Sequence, residues 1–152
     1  MYNPPNPKVF NTLVWEIVKQ IPSGKVATYG QIASMIPPPE GVEPPDFDRL
    51  GPRWVGNAMN AVSGPHEIAV PWQRVINSKG TISLPEGSTA AAIQRQRLEA
   101  EGVKFDEKER VDFEVVGWDG PDDPWLKEKG LFPPRSLKKK KPGQDTNQMN
   151  LF

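Results

Sequence analysis

The chain has 152 residues and a formal net charge of zero, enough for one domain with a core of its own. It contains no cysteine, which excludes disulfides, thiolate–zinc sites and a cysteine nucleophile in one step, and its single histidine, His66, argues against a metal centre or imidazole catalysis. No apolar run reaches membrane-spanning length and no basic-then-apolar leader opens the chain, so the expectation is a soluble intracellular protein with no membrane partner, no metal and no cofactor.

The first predicted element is a helix. Val9, Phe10, Leu13, Val14, Ile17, Val18 and Ile21 recur at helical spacing, with Asn6 as cap and Pro7 in the first position, where a missing N–H costs nothing. Pro22-Ser23-Gly24-Lys25 reads as a turn. In TYGQIA, Thr28 and Gln31 have capping-box spacing, so a second helix is predicted from Tyr29. Residues 37–52, PPPEGVEPPDFDRLGP, hold six prolines and read as a surface insertion without regular helix. A third helix is predicted over 53–62, with Val55, Ala58, Met59 and Val62 on one face and Gly56, Asn57 and Asn60 on the other. A short helix followed by one that is polar along one side suggests a helix-turn-helix with a long turn.

Residues 70–76, VPWQRVI, present an indole directly after a proline. Core packing is one reading of Trp72, and a ring offered to a ligand is the other. NSKG then turns the chain into TIS, and Ser88 or Thr89 caps a fourth helix through AAAIQRQRLEAEG, closed by Gly102. VDFEVV, 111–116, is predicted as a strand. From Gly117 proline, glycine and charge dominate, and 133–152 is predicted to be disordered. Charge is uneven along the chain. Residues 99–128 hold eleven acids against four bases, 135–141 hold five bases and no acid, and 49–79 set Arg49, Arg53, Arg74 and Lys79 against Glu67 alone.

In order, IPSGKVATYGQIA, RWVGNAM, VPWQRVINSKGTIS and RQRLEAEGV resemble the DNA-binding domain of the O6-alkylguanine-DNA alkyltransferases over residues 8–105. Those enzymes carry a Pro-Cys-His-Arg motif whose cysteine takes the alkyl group from a flipped guanine. Here the motif is Pro71-Trp72-Gln73-Arg74. An indole has no thiolate to attack an alkyl carbon, and a glutamine amide is no general base. The pattern is similar to that of the alkyltransferase-like proteins, which bind alkylated guanine without repairing it and pass the lesion to nucleotide excision repair. The resemblance implies a mainly α, winged-helix-like helix-turn-helix domain with a short β element, assigned to 1–118 and interrupted by the 37–52 insertion; composition assigns 119–152 to a Pro/Lys-rich, disordered tail. It implies no catalytic residue and a monomer. The implied partners are duplex DNA carrying O6-alkylguanine and the proteins of nucleotide excision repair, and the implied location is the nucleus, or the cytoplasm of a prokaryote. Two other readings stand beside it: a regulator that reads undamaged sequence through Asn57 and Asn60, and an enzyme in which a hydroxyl of Tyr29 or Ser83 replaces the thiol.

Position by position, Tyr29 matches the family tyrosine that crowds the phosphate beside the target nucleotide, and Arg53 the arginine that enters the base stack, where a planar cation can stack and hydrogen-bond. Gly56, Asn57, Ala58 and Ala61 match the small residues that let the third helix enter the minor groove, with Asn60, Thr28 and Gln31 added to the DNA-facing set. Trp72, Arg74, Asn77 and Ser83 are assigned to the lesion pocket. Arg74 and Glu101 are read as structural residues that ion-pair or hydrogen-bond, and Asn77 as the brace of the pocket loop. Trp54, on the third helix, is expected to respond to any bound DNA. The chain departs from the family in its insertion, in Ser63-Gly64-Pro65-His66 where the enzymes have an asparagine–proline hinge, and in a pocket-wall loop, SLPEGS, without basic or aromatic residues. His66 is read as a surface residue. LKKKKPG, 137–143, is read as a nuclear-import signal, a phosphate-binding arm or a solubilising run, and the terminal NQMNLF as a docking peptide.

Overall fold

Helix α1 (Pro7–Val18) begins as the sequence predicts: in a computed structural model, which describes residues 3–139, Asn6 accepts a hydrogen bond from the Val9 N–H and Pro7 fills the first position. Its buried face is Phe10, Val14, Ile17 and Val18, continued by Ile21, while Val9 stays exposed. Strand β1 (Ala27–Thr28) leads directly into helix α2 (Tyr29–Met35), whose cap is Thr28, accepting from the Gln31 N–H at 3.0 Å. The capping box is only half made, because the Gln31 side chain turns inward instead and donates to the Trp118 carbonyl at 2.7 Å.

The proline-rich segment corrects the sequence reading. Helix α3 runs without interruption from Pro44 to Asn60, so residues 44–52 are helical and Arg53 stands in the middle of the helix rather than at its mouth. Pro44 and Pro45 sit in the first turn, where an N–H would have no intrahelical acceptor. Pro52 lies inside the helix and forfeits one backbone bond, at a cost of about 3 kcal/mol. Burial on both sides of it offsets that cost. Phe47 and Trp54 are buried and meet Phe10 of α1 edge-on, with centroids 6.4 and 5.8 Å away. Gly51 brings α3 against α2, since a Cβ there would stand 3.1 Å from that of Ala33.

After α4 (His66–Ala69), a single 3-10 turn spans Trp72–Arg74 and passes into β2 (Val75–Ile76), which pairs in parallel with β1, Ala27 opposite Val75 and Thr28 opposite Ile76. This pairing fixes the Trp72 motif beside the start of α2. Helix α5 (Thr89–Ala100) takes Ser88, not Thr89, as its cap, and Gly102 follows with φ +93°. Gln94, buried on α5, donates to the carbonyls of Gln73 and Val75 and locks the helix to the motif.

VDFEVV is not a strand. Asp112 caps a helical turn, α6 (Phe113–Val116), accepting from the Glu114 N–H, and only an isolated bridge joins Val26 to Gly117. A good N-cap outweighs the β-propensity of three valines. The expected disorder over 119–152 also fails for 119–139. Asp122 caps α7 (Asp123–Lys129), Leu126 and Leu131 are buried, and the Phe132 N–H donates to the Met35 carbonyl at 2.8 Å. Residues 140–152, with most of LKKKKPG and all of NQMNLF, lie outside the described residues. Among the described residues no helix is long and apolar enough to cross a membrane.

Candidate nucleic-acid interface

Along α3, Arg53, Gly56, Asn57 and Asn60 fall at i, i+3, i+4 and i+7, one stripe of the helix. Arg53, Asn57 and Asn60 are exposed, whereas Trp54, Val55 and Ala58 between them are buried. No carboxylate pairs with Arg53 among the described residues, in contrast to Arg49, which binds Asp46 at 3.2 Å. Trp54 belongs to the core and not to the outer face.

Tyr29 joins this stripe to the pocket-wall loop. A Cβ on Gly56 would lie 4.0 Å from the Tyr29 ring, so the missing side chain leaves a flat floor beside the phenol. The Tyr29 hydroxyl and Ser83 Oγ share a hydrogen bond of 2.8 Å. No imidazole, carboxylate or amine hydrogen-bonds to either hydroxyl among the described residues. Thr28 and Gln31, assigned to the DNA face, are not on it: both are buried, Thr28 as the α2 cap and Gln31 against Trp118, with its Oε1 unpartnered among the described residues. Their capping-box spacing was a folding signal.

Trp72 is outside the hydrophobic core clusters and half-buried. Its Nε1–H donates to Glu67 Oε1 at 2.9 Å, Arg97 Nη1 binds the same oxygen at 2.8 Å, and the Arg97 guanidinium stands 5.4 Å from the ring centroid. The indole is thus held edge-on by a carboxylate and covered on a face by a cation. The hydrogen bond from Trp72, then that from Arg97, holds the Glu67 carboxyl below its ordinary range. A cavity of about 440 Å³ beside Trp72 is lined by Glu67, Pro71, Gln73, Arg74 and Arg97, and not by Tyr29 or Ser83. Glu67 and Arg97 were missed by sequence reasoning. The only available signal was that Glu67 is the single acid in a basic stretch.

Arg74 lines that cavity and is anchored in the fold behind it. Its Nε and Nη2 grip Glu101 at 3.0 and 2.9 Å and its Nη1 donates to the Ile21 carbonyl at 2.8 Å. Glu101 also accepts from Gln73 Nε2 and the Gly24 N–H. Burial pushes the Glu101 carboxyl up, but the bonds from Arg74, Gln73 and Gly24 outweigh it and the net direction is down. The structural role read for both residues takes the form of an ion pair, and Arg74 also borders the cavity beside Trp72. Asn77 braces its turn: Oδ1 accepts from the Lys79 and Thr81 N–H groups, both at 3.0 Å, and Nδ2 donates to Thr81 Oγ1 at 2.7 Å. His66 is exposed and packs against Trp15, with centroids 4.6 Å apart.

A short helix at the base of a longer one, an exposed Arg53–Asn57–Asn60 stripe on the latter and a tyrosine set between them define a helix-turn-helix DNA-binding domain. Residues 9–103 match the family described as the 6-O-methylguanine DNA methyltransferase DNA-binding domain, and the chain belongs to that family, among its alkyltransferase-like members. It is similar to alkyltransferase-like protein 1 of Schizosaccharomyces pombe, 43% identical over 96 residues covering 63% of this chain and 78% of that protein. The DNA base-flipping protein of Escherichia coli is 36% identical over 111 residues, 72% of this chain and 74% of its own. Among solved structures, S. pombe Atl1 in complex with damaged DNA containing O6-carboxymethylguanine matches with a TM-score of 0.54 and 36% identity, covering 73% of this chain and 95% of that one.

Proposed function

We propose that this chain senses alkylation damage: it binds duplex DNA carrying O6-alkylguanine, holds the modified base outside the stack, transfers no alkyl group, and passes the site to nucleotide excision repair, in a nucleus or in the cytoplasm of a prokaryote. The observation that carries the reading is Trp72, in the place of the reactive cysteine in a chain with no cysteine, its ring held half-exposed by Glu67 and Arg97. A flat, positioned indole binds a base or alkyl group by stacking, worth about 1 to 3 kcal/mol, and offers no thiolate to take a methyl group. Arg53, Asn57 and Asn60 on the exposed side of α3, with Tyr29 at Gly56, supply the surface that approaches the duplex. The named relatives, one a base-flipping protein and one solved with damaged DNA, support it.

Two measurements test this. The protein should prefer a duplex with one O6-methylguanine over its unmodified twin, whereas a sequence-reading regulator using Asn57 and Asn60 should not distinguish them. Incubation with a methyl-labelled lesion should leave all label on DNA, and Trp72→Cys should not change that, because Gln73 cannot deprotonate the thiol. Label on the wild-type protein would restore the enzyme reading and remove this one.

Trp72→Ala should weaken binding to the alkylated duplex by roughly tenfold or more while Tm stays near the wild-type value, since stacking on a base is lost and no core ring is removed. A core aromatic truncated to alanine costs about 3 to 5 kcal/mol. If Trp72→Ala unfolds the domain on that scale, the ring serves the fold.

A further inference from the structure

The segment after Gly117 lies beyond the family match over 9–103, yet it returns to the proposed DNA face. Leu126 and Leu131 anchor it in the core. The Phe132 N–H then bonds the Met35 carbonyl at 2.8 Å, and the Arg135 N–H bonds Ser34 Oγ at 2.9 Å. These contacts lay the strand of chain along α2 from its C-terminal end toward Tyr29. The Arg135 side chain comes to rest over Gly30: a Cβ there would stand 3.2 Å from Nη1, so a larger residue would press on the guanidinium.

Arg135 differs from its basic neighbour in the same segment. Lys138 is neutralised by Asp119 at 3.3 Å. Arg135 is exposed and has no carboxylate partner among the described residues. A free guanidinium, its main chain tied down by the Phe132 and Arg135 N–H bonds, thus rests over Gly30, one residue from the tyrosine at the centre of the interface. Its planar fork suits a phosphodiester, which it can grip through two oxygens.

We propose that residues 131–139 form a strap that extends the DNA-binding surface beyond the family domain, with Arg135 contacting a backbone phosphate on the α2 side of Tyr29. The partner is the phosphodiester backbone of duplex DNA, gripped without regard to sequence or lesion. The inference rests on the proposed reading that Tyr29 and the α3 stripe face the duplex.

Salt titration of the full chain tests it, using a duplex with one O6-methylguanine and its unmodified twin. One phosphate contact contributes a slope of about 0.9 in log K against log salt, equivalent to about fivefold in affinity near 0.15 M salt. Arg135→Ala should lose that factor on both duplexes equally and flatten the slope by about that amount, and Arg135→Lys should restore most of the slope. Affinity and slope unchanged in Arg135→Ala would overturn the strap, and so would a loss confined to the alkylated duplex with the slope unchanged. If wild type fails to prefer the alkylated duplex while Arg135→Ala still flattens the slope, the strap stands and the lesion reading falls. If wild type prefers the lesion and Arg135→Ala changes nothing, the lesion reading stands and the strap falls.

Discussion

Glu101→Ala is expected to destabilise the domain by about 3 kcal/mol, the low end for removing one partner of a buried ion pair, and to lower Tm by roughly 10 °C. The side chains of Glu101 and Arg74 retain only 12% and 18% of their exposure, so the orphaned guanidinium recovers little of its hydration. The loss also spreads. Glu101 ties the Gly24 turn, the Gln73 amide and, through Arg74, the Ile21 carbonyl to the C-terminal end of α5. Thermal and chemical denaturation read the effect, and a Tm within a degree of wild type would mean the network contributes nothing. Arg74→Ala added to Glu101→Ala should cost much less than the sum of the two, since the second change removes the charge that the first left buried.

The same carboxylate sets an acid limit. Its folded pKa lies below the ordinary 4.5, so its contribution is fully present above that pH and is lost as pH falls through the folded value. Glu67 and Asp106 are shifted in the same direction and add to acid sensitivity. Comparison with Glu101→Gln isolates one group. The stability gap between wild type and this variant should be constant near neutrality and shrink below about pH 4.5. A gap that is flat down to the acid transition would show that Glu101 is not the titrating group.

What the sequence made legible was local. The Asn6 cap, the Thr28 start of α2 and the Ser88 cap are each set within four residues, and all three stand in the structure. The α3 stripe was legible for the same reason, because helical spacing alone places Arg53, Gly56, Asn57 and Asn60 together. Residues 44–52 were not, because the ring that Phe47 and Trp54 of this proline-bearing helix pack against, Phe10, belongs to another element. The tail was misread because its anchors, Met35 and Ser34, stand about a hundred positions earlier in the chain. At the site the same division applies. The bond from Trp72 to Glu67 spans five residues, but the second ligand of that carboxylate, Arg97, comes from α5. Thr28 and Gln31 were assigned to DNA although their spacing already marked a helix cap, and tertiary burial removes both from the surface.

Arg53→Ala should weaken binding to alkylguanine duplex by about tenfold to a hundredfold and weaken binding to the unmodified twin less, so that preference for the lesion shrinks. Extruding a base costs a few kcal/mol, and a guanidinium that fills the gap and hydrogen-bonds the orphaned partner base offsets about 1 to 3 of them. That stabilisation exists only when a base has left the stack, which is why the two duplexes should respond differently. A simple phosphate contact would instead weaken both alike and flatten the salt dependence, the behaviour expected of Arg135. Folding should not confuse the comparison: Arg53 is exposed, pairs with no carboxylate among the described residues, and alanine is the better helix former. Tyr29→Ala should act in the same direction, because its ring fills the space over Gly56, while Tyr29→Phe loses only the bond to Ser83 and should be milder. If both alanine variants keep the wild-type Tm and bind the alkylated duplex as wild type does, neither side chain takes part in extruding the base, and Asn57→Ala and Asn60→Ala on the same stripe become the variants that decide how this domain meets DNA.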